Sequence, residues 1–562
     1  DVRYGNALSG VIDLTLKSAL TSPDQSSLDV NLTEMNFLHI KQSPSKEFGY
    51  LVAFRKTYYD LLLPFFISGP GSEQVPYFQS LQNKFSMKVG DNNTLDLSVS
   101  FFQEGADLAW DAEDEEGIST VLYDSKRVLI NSNFKTLVSK KVFNNINLTL
   151  ENLQGYFDYY STNPNNLPLT WTWKNPSIKF KDDLSWEVHP DHMIHIGAGF
   201  NYRRISREGE YTLTPESAGQ EWQKISKDVE IPTINFIIQN KGDLKQAELY
   251  LQDTWKITEQ HTLKGGLRLD SSQLDDYKLR HKIQPRLTYF YSFSEATKFR
   301  LYYGQYTQVR TDQSNTIDTQ YNFNNNTDTI YLESSLPDLD MEESSHYGTG
   351  VSHFLSESIL VKTEVFYKEY NQLSINTANY PREEYKNVGQ GKAGGIELMI
   401  QKFSGKIEGW LTYTQSKTRR NNQEGWFTPE YDVLHMVNLY SDINTKKFNI
   451  IFNLQYNSGK PYTPINGHEI TDSGSVKLDY GDLYSKRFSY YLRMDLWIKT
   501  KDRLFFGTTI KYNFRLGLYN ILNKENQVGY GYEIDKNNPD KGSAKFSTDF
   551  PLFPVFGVEC KF

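Results

Sequence analysis

From about residue 26 to the last residue, apolar and polar side chains alternate with a period of two, which makes repeated β-strands the fold this chain can adopt. In the segment 193–204, Ile194, Ile196, Ala198, Phe200 and Tyr202 share one strand face, while His195, Gly197, Gly199, Asn201 and Arg203 share the other. In the segment 491–499, Leu492, Met494, Leu496 and Ile498 alternate with Tyr491, Arg493, Asp495, Trp497 and Lys499. Residues 361–368 repeat the pattern less cleanly. One face suits lipid and the other water, and strands of about 10 residues are long enough to cross a bilayer at a tilt.

Composition agrees with that reading. The mean hydropathy is -0.59 and 38% of the 562 residues are apolar, yet 38 tyrosines, 34 phenylalanines and 9 tryptophans make 14% of the chain aromatic. A transmembrane barrel uses aromatic rings at both membrane interfaces and polar residues in its lumen, so the class accounts for both observations. The most apolar stretch, residues 61–67, is far short of the ~18 apolar residues a spanning helix needs. Without helices, only a closed barrel satisfies every backbone polar group in lipid. The lone cysteine, Cys560, excludes a disulfide framework and reads as a small apolar side chain. A net charge of -9 offers no basic footprint for nucleic acid. Nothing at the start reads as the signal peptide that export requires, so residue 1 is expected to lie downstream of the true start.

Connections between the alternating segments take turns at being short and long. Short ones are expected near 43–47, 90–93, 140–145, 189–192, 258–261, 294–297, 356–358, 404–406, 444–447 and 500–502. Longer polar ones are expected at 65–77, 107–118, 158–176, 207–243, 271–281, 309–340, 374–388, 421–432, 465–486 and 525–545, with a tight early one near Thr33–Asn36. The pattern predicts an all-β, antiparallel transmembrane barrel of about 22 strands, with short periplasmic turns, long extracellular loops and both chain ends periplasmic. A soluble β-propeller or tandem sandwich is the competing reading. It would show a fixed-period repeat, and it has no reason to keep every second connection short.

Several segments then resemble TonB-dependent outer-membrane receptors, particularly those of the Bacteroidetes type. The opening DVRYGNALSGVIDLTLKS is similar to the end of their plug domain, with Arg3, Tyr4, Gly5 and Gly10 ahead of a closing Val11–Ile12 strand. Residues 285–306, 385–401, 453–464 and 513–526 resemble barrel segments in the family's order, and PLFPVFGVECKF resembles its final strand, with Phe562 as the C-terminal barrel-assembly signal. The resemblance implies residues 1–20 as the end of a plug domain and 21–562 as the barrel. It implies a protein of the Gram-negative outer membrane, in contact with lipid and lipopolysaccharide. It also implies TonB as the periplasmic partner, although no TonB box is present in the chain, and leaves room for an outer-membrane lipoprotein or other complex partners.

Residues with possible site chemistry are few. His189, His192 and His195 have metal-like spacing, but a three-residue step in a strand puts successive side chains on opposite faces. DAEDEE, residues 111–116, reads as a solvated charge run in an outer loop rather than a calcium site. Arg203, Arg204, Arg419 and Arg420 fall at outer strand ends and suit either anionic ligands or the lipopolysaccharide rim. No hydrolase, zincin or phosphate-loop motif stands in a suitable context, so neither an enzyme nor a cofactor is expected. Two functions follow: energy-coupled import of a nutrient, with loops 207–243 and 309–340 as capture surface, or a structural subunit of a larger outer-membrane complex. A passive porin ranks third.

Overall fold

The computed structural model describes residues 1–58, 76–111, 118–161, 169–213, 234–310, 329–334, 338–376, 385–470, 476–534 and 541–562. Twenty-two antiparallel strands close into one barrel. The first eleven are β1 (Gln25–Asn31), β2 (Glu34–Gln42), β3 (Phe48–Thr57), β4 (Tyr77–Lys88), β5 (Asn93–Asp111), β6 (Ile118–Ser139), β7 (Val142–Ser161), β8 (Leu169–His189), β9 (His192–Leu213), β10 (Ile234–Lys256) and β11 (His261–Leu274). The rest are β12 (Arg280–Ser292), β13 (Thr297–Gln308), β14 (Glu342–Ser356), β15 (Ile359–Asn376), β16 (Tyr385–Lys402), β17 (Ile407–Asn421), β18 (His435–Asn444), β19 (Phe448–Asn457), β20 (Tyr491–Thr500), β21 (Lys511–Tyr519) and β22 (Phe553–Lys561).

Closure is made by β22, which pairs with β21 on one side and β1 on the other, Ser27 opposite Lys561 and Asn31 opposite Gly557. No sheet edge is left to recruit another chain at that seam. Ion pairs reinforce it from the lumen: Arg515 donates to Asp29 at 2.7 Å and lies 3.1 Å from Glu559, which also receives Lys499 at 2.8 Å. Asp502, in the short connection beside the seam, is partly desolvated, yet its carboxyl stays below the usual range because Lys561 and Asn513 donate to it.

Register confirms the two faces. Ala198 stands opposite Asp182 and Leu249, and Ile196 opposite Leu184 and Leu251. Leu249, Leu251 and Leu267 are each more than half exposed, as a lipid-facing belt requires. Trp186 and Trp255 lie on that face near short turns, at the level of the interface. The opposite face carries Arg268, Asp270, Gln284 and Asp495, all buried in the lumen.

Two expected loops shrink. β7 runs to Ser161 and β8 begins at Leu169, so most of 158–176 is strand; β9 runs to Leu213 and β10 begins at Ile234, so both ends of 207–243 are strand. Above the bilayer no face needs to be apolar, so backbone pairing continues after the hydrophobic alternation that signals it has stopped. The turn expected at 500–502 is longer, with Arg503–Leu504 folding back against Lys511 and Tyr512. The stretches expected as loops at 465–486 and 525–545 contain hairpins, Ile465–Ile470 with Val476–Tyr480 and Gln527–Ile534 with Gly542–Thr548.

Candidate functional site

Residues 1–20 do not join the wall. They form an extended strap inside the lumen, held by long side chains that reach in from the barrel. Lys181 donates to the carbonyl of Arg3 at 2.7 Å, Arg268 to that of Val2 at 3.0 Å, and Lys84 to that of Leu16 at 3.2 Å. Arg286 donates to the carbonyls of Asp1 at 2.5 Å and Tyr4 at 2.6 Å. His346 and Ser344 both meet the carbonyl of Leu8, at 2.8 and 3.1 Å. These bonds read the strap's backbone, whereas Lys264 and the Val309 N–H read its side chains, at Asp1 and Asn6.

The strap's own residues shape its course. Tyr4 donates its hydroxyl to Asp13 at 2.8 Å, folding the strap back on itself and raising the phenol above its ordinary range. Gly5 lies so close to the Arg268 guanidinium that a Cβ there would sit 2.2 Å from Nη2. Gly10 has open space around it. At the far end, Ala19 is buried against Ile40 and Leu51 of β2 and β3.

Toward the mouth, Leu8 packs with Tyr370 and Leu373 and helps to floor a cavity of about 700 Å³. Its walls come from the outer ends of β15 and β17 and from the connections after β17 and β19. Arg420 projects into it. Its guanidinium lies 4.9 Å from the Tyr370 ring and 5.9 Å from that of Tyr431, and Nε donates to the Tyr431 hydroxyl at 2.6 Å. Among the described residues no carboxylate forms an ion pair with Arg420. Lys368 reaches the carbonyl of Ser9 at 3.4 Å on the same wall. Tyr484 stacks on Phe427 with ring centroids 6.1 Å apart. Its phenol is pushed up by burial and by Glu430 and Tyr431, so it stays a neutral donor. Two non-glycine residues beside the cavity, Gln372 (φ 53°) and Tyr484 (φ 51°), hold left-handed backbone, strain that collects where shape serves a site.

The connections on this side are fastened to one another. Asp432 is buried under Arg487, which also donates to the carbonyls of Asp432 and Gly459 at 3.0 and 2.9 Å. The two hairpins meet where the Ile465 N–H donates to the Tyr530 hydroxyl at 2.8 Å; Tyr462, just ahead of the first hairpin, lies with its ring centroid 4.5 Å from that of Tyr530, and Phe546 and Phe488 close the cluster. The cavity therefore has a preorganised wall.

The sequence-predicted residues scatter. His189 and His192 meet at a turn, ring centroids 6.3 Å apart, with His192 bonded to Asp253 at 2.7 Å. His195 faces the lumen and bonds Ser185 at 2.9 Å, the opposite face, as a three-residue step dictates. Arg204 faces outward and pairs with Asp243 at 2.9 Å, while Arg203 faces the lumen by register. Arg419 faces outward and Arg420 enters the cavity. Asp111 ends β5, and the rest of the acidic run lies outside the described residues. Tyr370, Tyr431 and Tyr484 were not singled out in the sequence; their one signal was the neighbouring Arg419–Arg420 pair.

The family model described as "TonB dependent receptor-like, beta-barrel" matches residues 39–523. No curated protein sequence matches the chain. Among solved structures, it resembles FpvA of P. aeruginosa, solved with heterologous pyoverdines, at 11% identity and a TM-score of 0.67 over 96% of this chain and 71% of that one. It resembles the siderophore receptor PiuA from Acinetobacter baumannii at 12% identity and a TM-score of 0.65, over 96% and 82% of the two chains. The outer membrane transporter YddB from Escherichia coli aligns at 11% identity and a TM-score of 0.67, over 100% and 83%. At such identities the likeness establishes the fold; the family model, which covers most of the chain, establishes the kinship. The chain belongs to the TonB-dependent receptor β-barrel family of the Gram-negative outer membrane.

Proposed function

We propose that the chain imports an anionic, ring-bearing nutrient across the outer membrane, with energy delivered by periplasmic TonB. One observation carries this reading: the same strap that is gripped across the lumen also floors the cavity at the mouth, through Leu8 and Ser9. A ligand seated there touches the segment that a pull from the periplasm would move. Arg420, beside the rings of Tyr370 and Tyr431, supplies charge for a carboxylate or catecholate, and the tyrosines supply flat faces for a ring. Solved proteins of the same fold include a siderophore receptor and a ferric citrate transporter, which supports an anionic cargo.

In this reading residues 1–20 are the end of a plug domain, with Arg3, Tyr4, Gly5 and Gly10 as its family motif, and 21–562 are the barrel of a Bacteroidetes-type receptor. Phe562 serves as the assembly signal, lipopolysaccharide surrounds the outer rim, and an outer-membrane lipoprotein is a further partner. The deciding experiment compares uptake of radiolabelled ferric citrate and of a ferric catecholate by cells carrying the full-length gene, with and without TonB. Uptake that disappears with TonB supports import. No uptake above background favours the structural-subunit alternative, and equal uptake in both strains favours a passive pore.

A further inference from the structure

Deeper in the lumen, Lys264 of β11 and Arg286 of β12 stand on the wall beneath the first residues of the strap. Gly266 is opposite Arg286 and Lys264 opposite Thr288, so the two cations are diagonal neighbours on adjacent strands, with Cα atoms roughly 7–8 Å apart. Arg286 is buried, and its guanidinium lies 4.3 Å from the Tyr306 ring. Its hydrogen bonds go to the carbonyls of Asp1, Tyr4 and Gln305 and to Gln284 Oε1, all neutral acceptors. Among the described residues no carboxylate forms an ion pair with it. Lys264 has one ion pair, at 3.0 Å, and its partner is the strap's own Asp1 carboxylate.

The neighbouring Arg268 differs. It is clamped between Glu248 and Asp270 of the wall, so its charge is answered whether or not the strap is present. Its Nε and the side-chain nitrogen of Gln252, both buried, nevertheless have no hydrogen-bond partner. Lys264 and Arg286 are thus cations of the wall that no carboxylate of the wall answers among the described residues, Lys264 pairing with Asp1 and Arg286 bonding only neutral oxygens. A guanidinium held by carbonyls alone keeps its charge uncompensated, which costs free energy that an anion would recover.

We propose that Lys264 and Arg286 form an anion-binding station on the lumen wall, occupied in this state by Asp1 of the strap, whose carboxylate pairs with Lys264 and with Arg3 while its carbonyl accepts from Arg286. A carboxylate or phosphate group takes that place when the strap shifts. The station lies on the far side of the strap from the Arg420 cavity, toward the short turns that precede β11 and follow β12. That a transported solute pauses there rests on the import reading; the station itself rests on the wall geometry.

The test uses the full chain refolded in detergent and titrated with inorganic phosphate by calorimetry. Asp1→Asn keeps the carbonyl to Arg286 and removes the competing carboxylate, so it should bind phosphate about tenfold more tightly than the parent. Adding Lys264→Gln to Asp1→Asn should abolish the gain, and adding Arg286→Gln should do the same. Lys362→Gln, a lumen lysine elsewhere, should leave it intact. Equal phosphate affinity in parent and Asp1→Asn, or a gain that survives Lys264→Gln, overturns the proposal. Should Arg286→Gln fold poorly, the Lys264 variant decides. Phosphate binding as expected in a protein that shows no TonB-dependent uptake would retain the station and reject the import reading.

Discussion

Asp182 sits in surroundings that oppose its charge. It lies on the lipid face of β8, between Phe180 and Leu184 along the strand and between Ile146 and Ala198 across it. Among the described residues its Oδ1 is buried without a hydrogen-bond partner. An ionisable group in the belt opposes insertion, and acidic residues cost less than basic ones. Asp182→Leu should therefore stabilise the barrel by about 1 kcal/mol in reversible unfolding from lipid bilayers. Leu249→Arg, at an exposed belt position one strand beyond Ala198, should destabilise it by about 2–4 kcal/mol in the same assay. In the mouth, Arg420→Gln should weaken capture of the anionic ligand by about 1.5–3 kcal/mol, ten- to a hundredfold. Ligand titration of the two proteins checks it.

At the level of strands, the seam between β1 and β22 carries a charge network that contacts alone would not require. Arg515 joins Asp29 of the first strand to Glu559 of the last. Arg515→Met leaves two carboxylates facing each other across the closure and should cost about 1–3 kcal/mol, partly relieved by lumen water. The heat at which the folded band disappears on a gel should fall accordingly. The backbone N–H of Phe562 donates to the Ser26 carbonyl at 3.0 Å, so the last residue completes the ladder, and its deletion should lower the yield of assembled barrel. Strand faces such as those of 193–204 and 491–499 were legible in the sequence because lipid enforces apolar alternation wherever the wall touches it. The upper halves of β7 to β10 were not, since a strand in water pairs equally well with polar side chains on both faces. The candidate site was legible only as Arg419 and Arg420. Tyr431 and Tyr484 are brought to them by connections whose course no local pattern encodes.

As a whole, the molecule is a sealed tube with a cationic grip inside it. Lys84, Lys181, Lys264, Arg286 and Lys368 all spend contacts on the strap. Removing residues 1–20 together with any chain that precedes them should widen the lumen and leave those charges facing water. Planar-bilayer recordings should then show larger single-channel conductance with a preference for anions. A channel selective for cations would mean that the wall's acidic residues govern the field instead.

The wall is also lopsided. β6 to β10 contain 20 to 23 residues, whereas β18 to β22 contain 9 or 10. A surplus of roughly ten residues, at about 3.3 Å each and tilted, lifts one side by about 25 Å. That side forms a parapet that pushes up through the sugar layer of the cell surface, and an antibody or phage tail meets it before anything else. The shorter strands carry the two hairpins instead, and the Arg420 cavity opens between β15, β17 and the connection that holds the first of them.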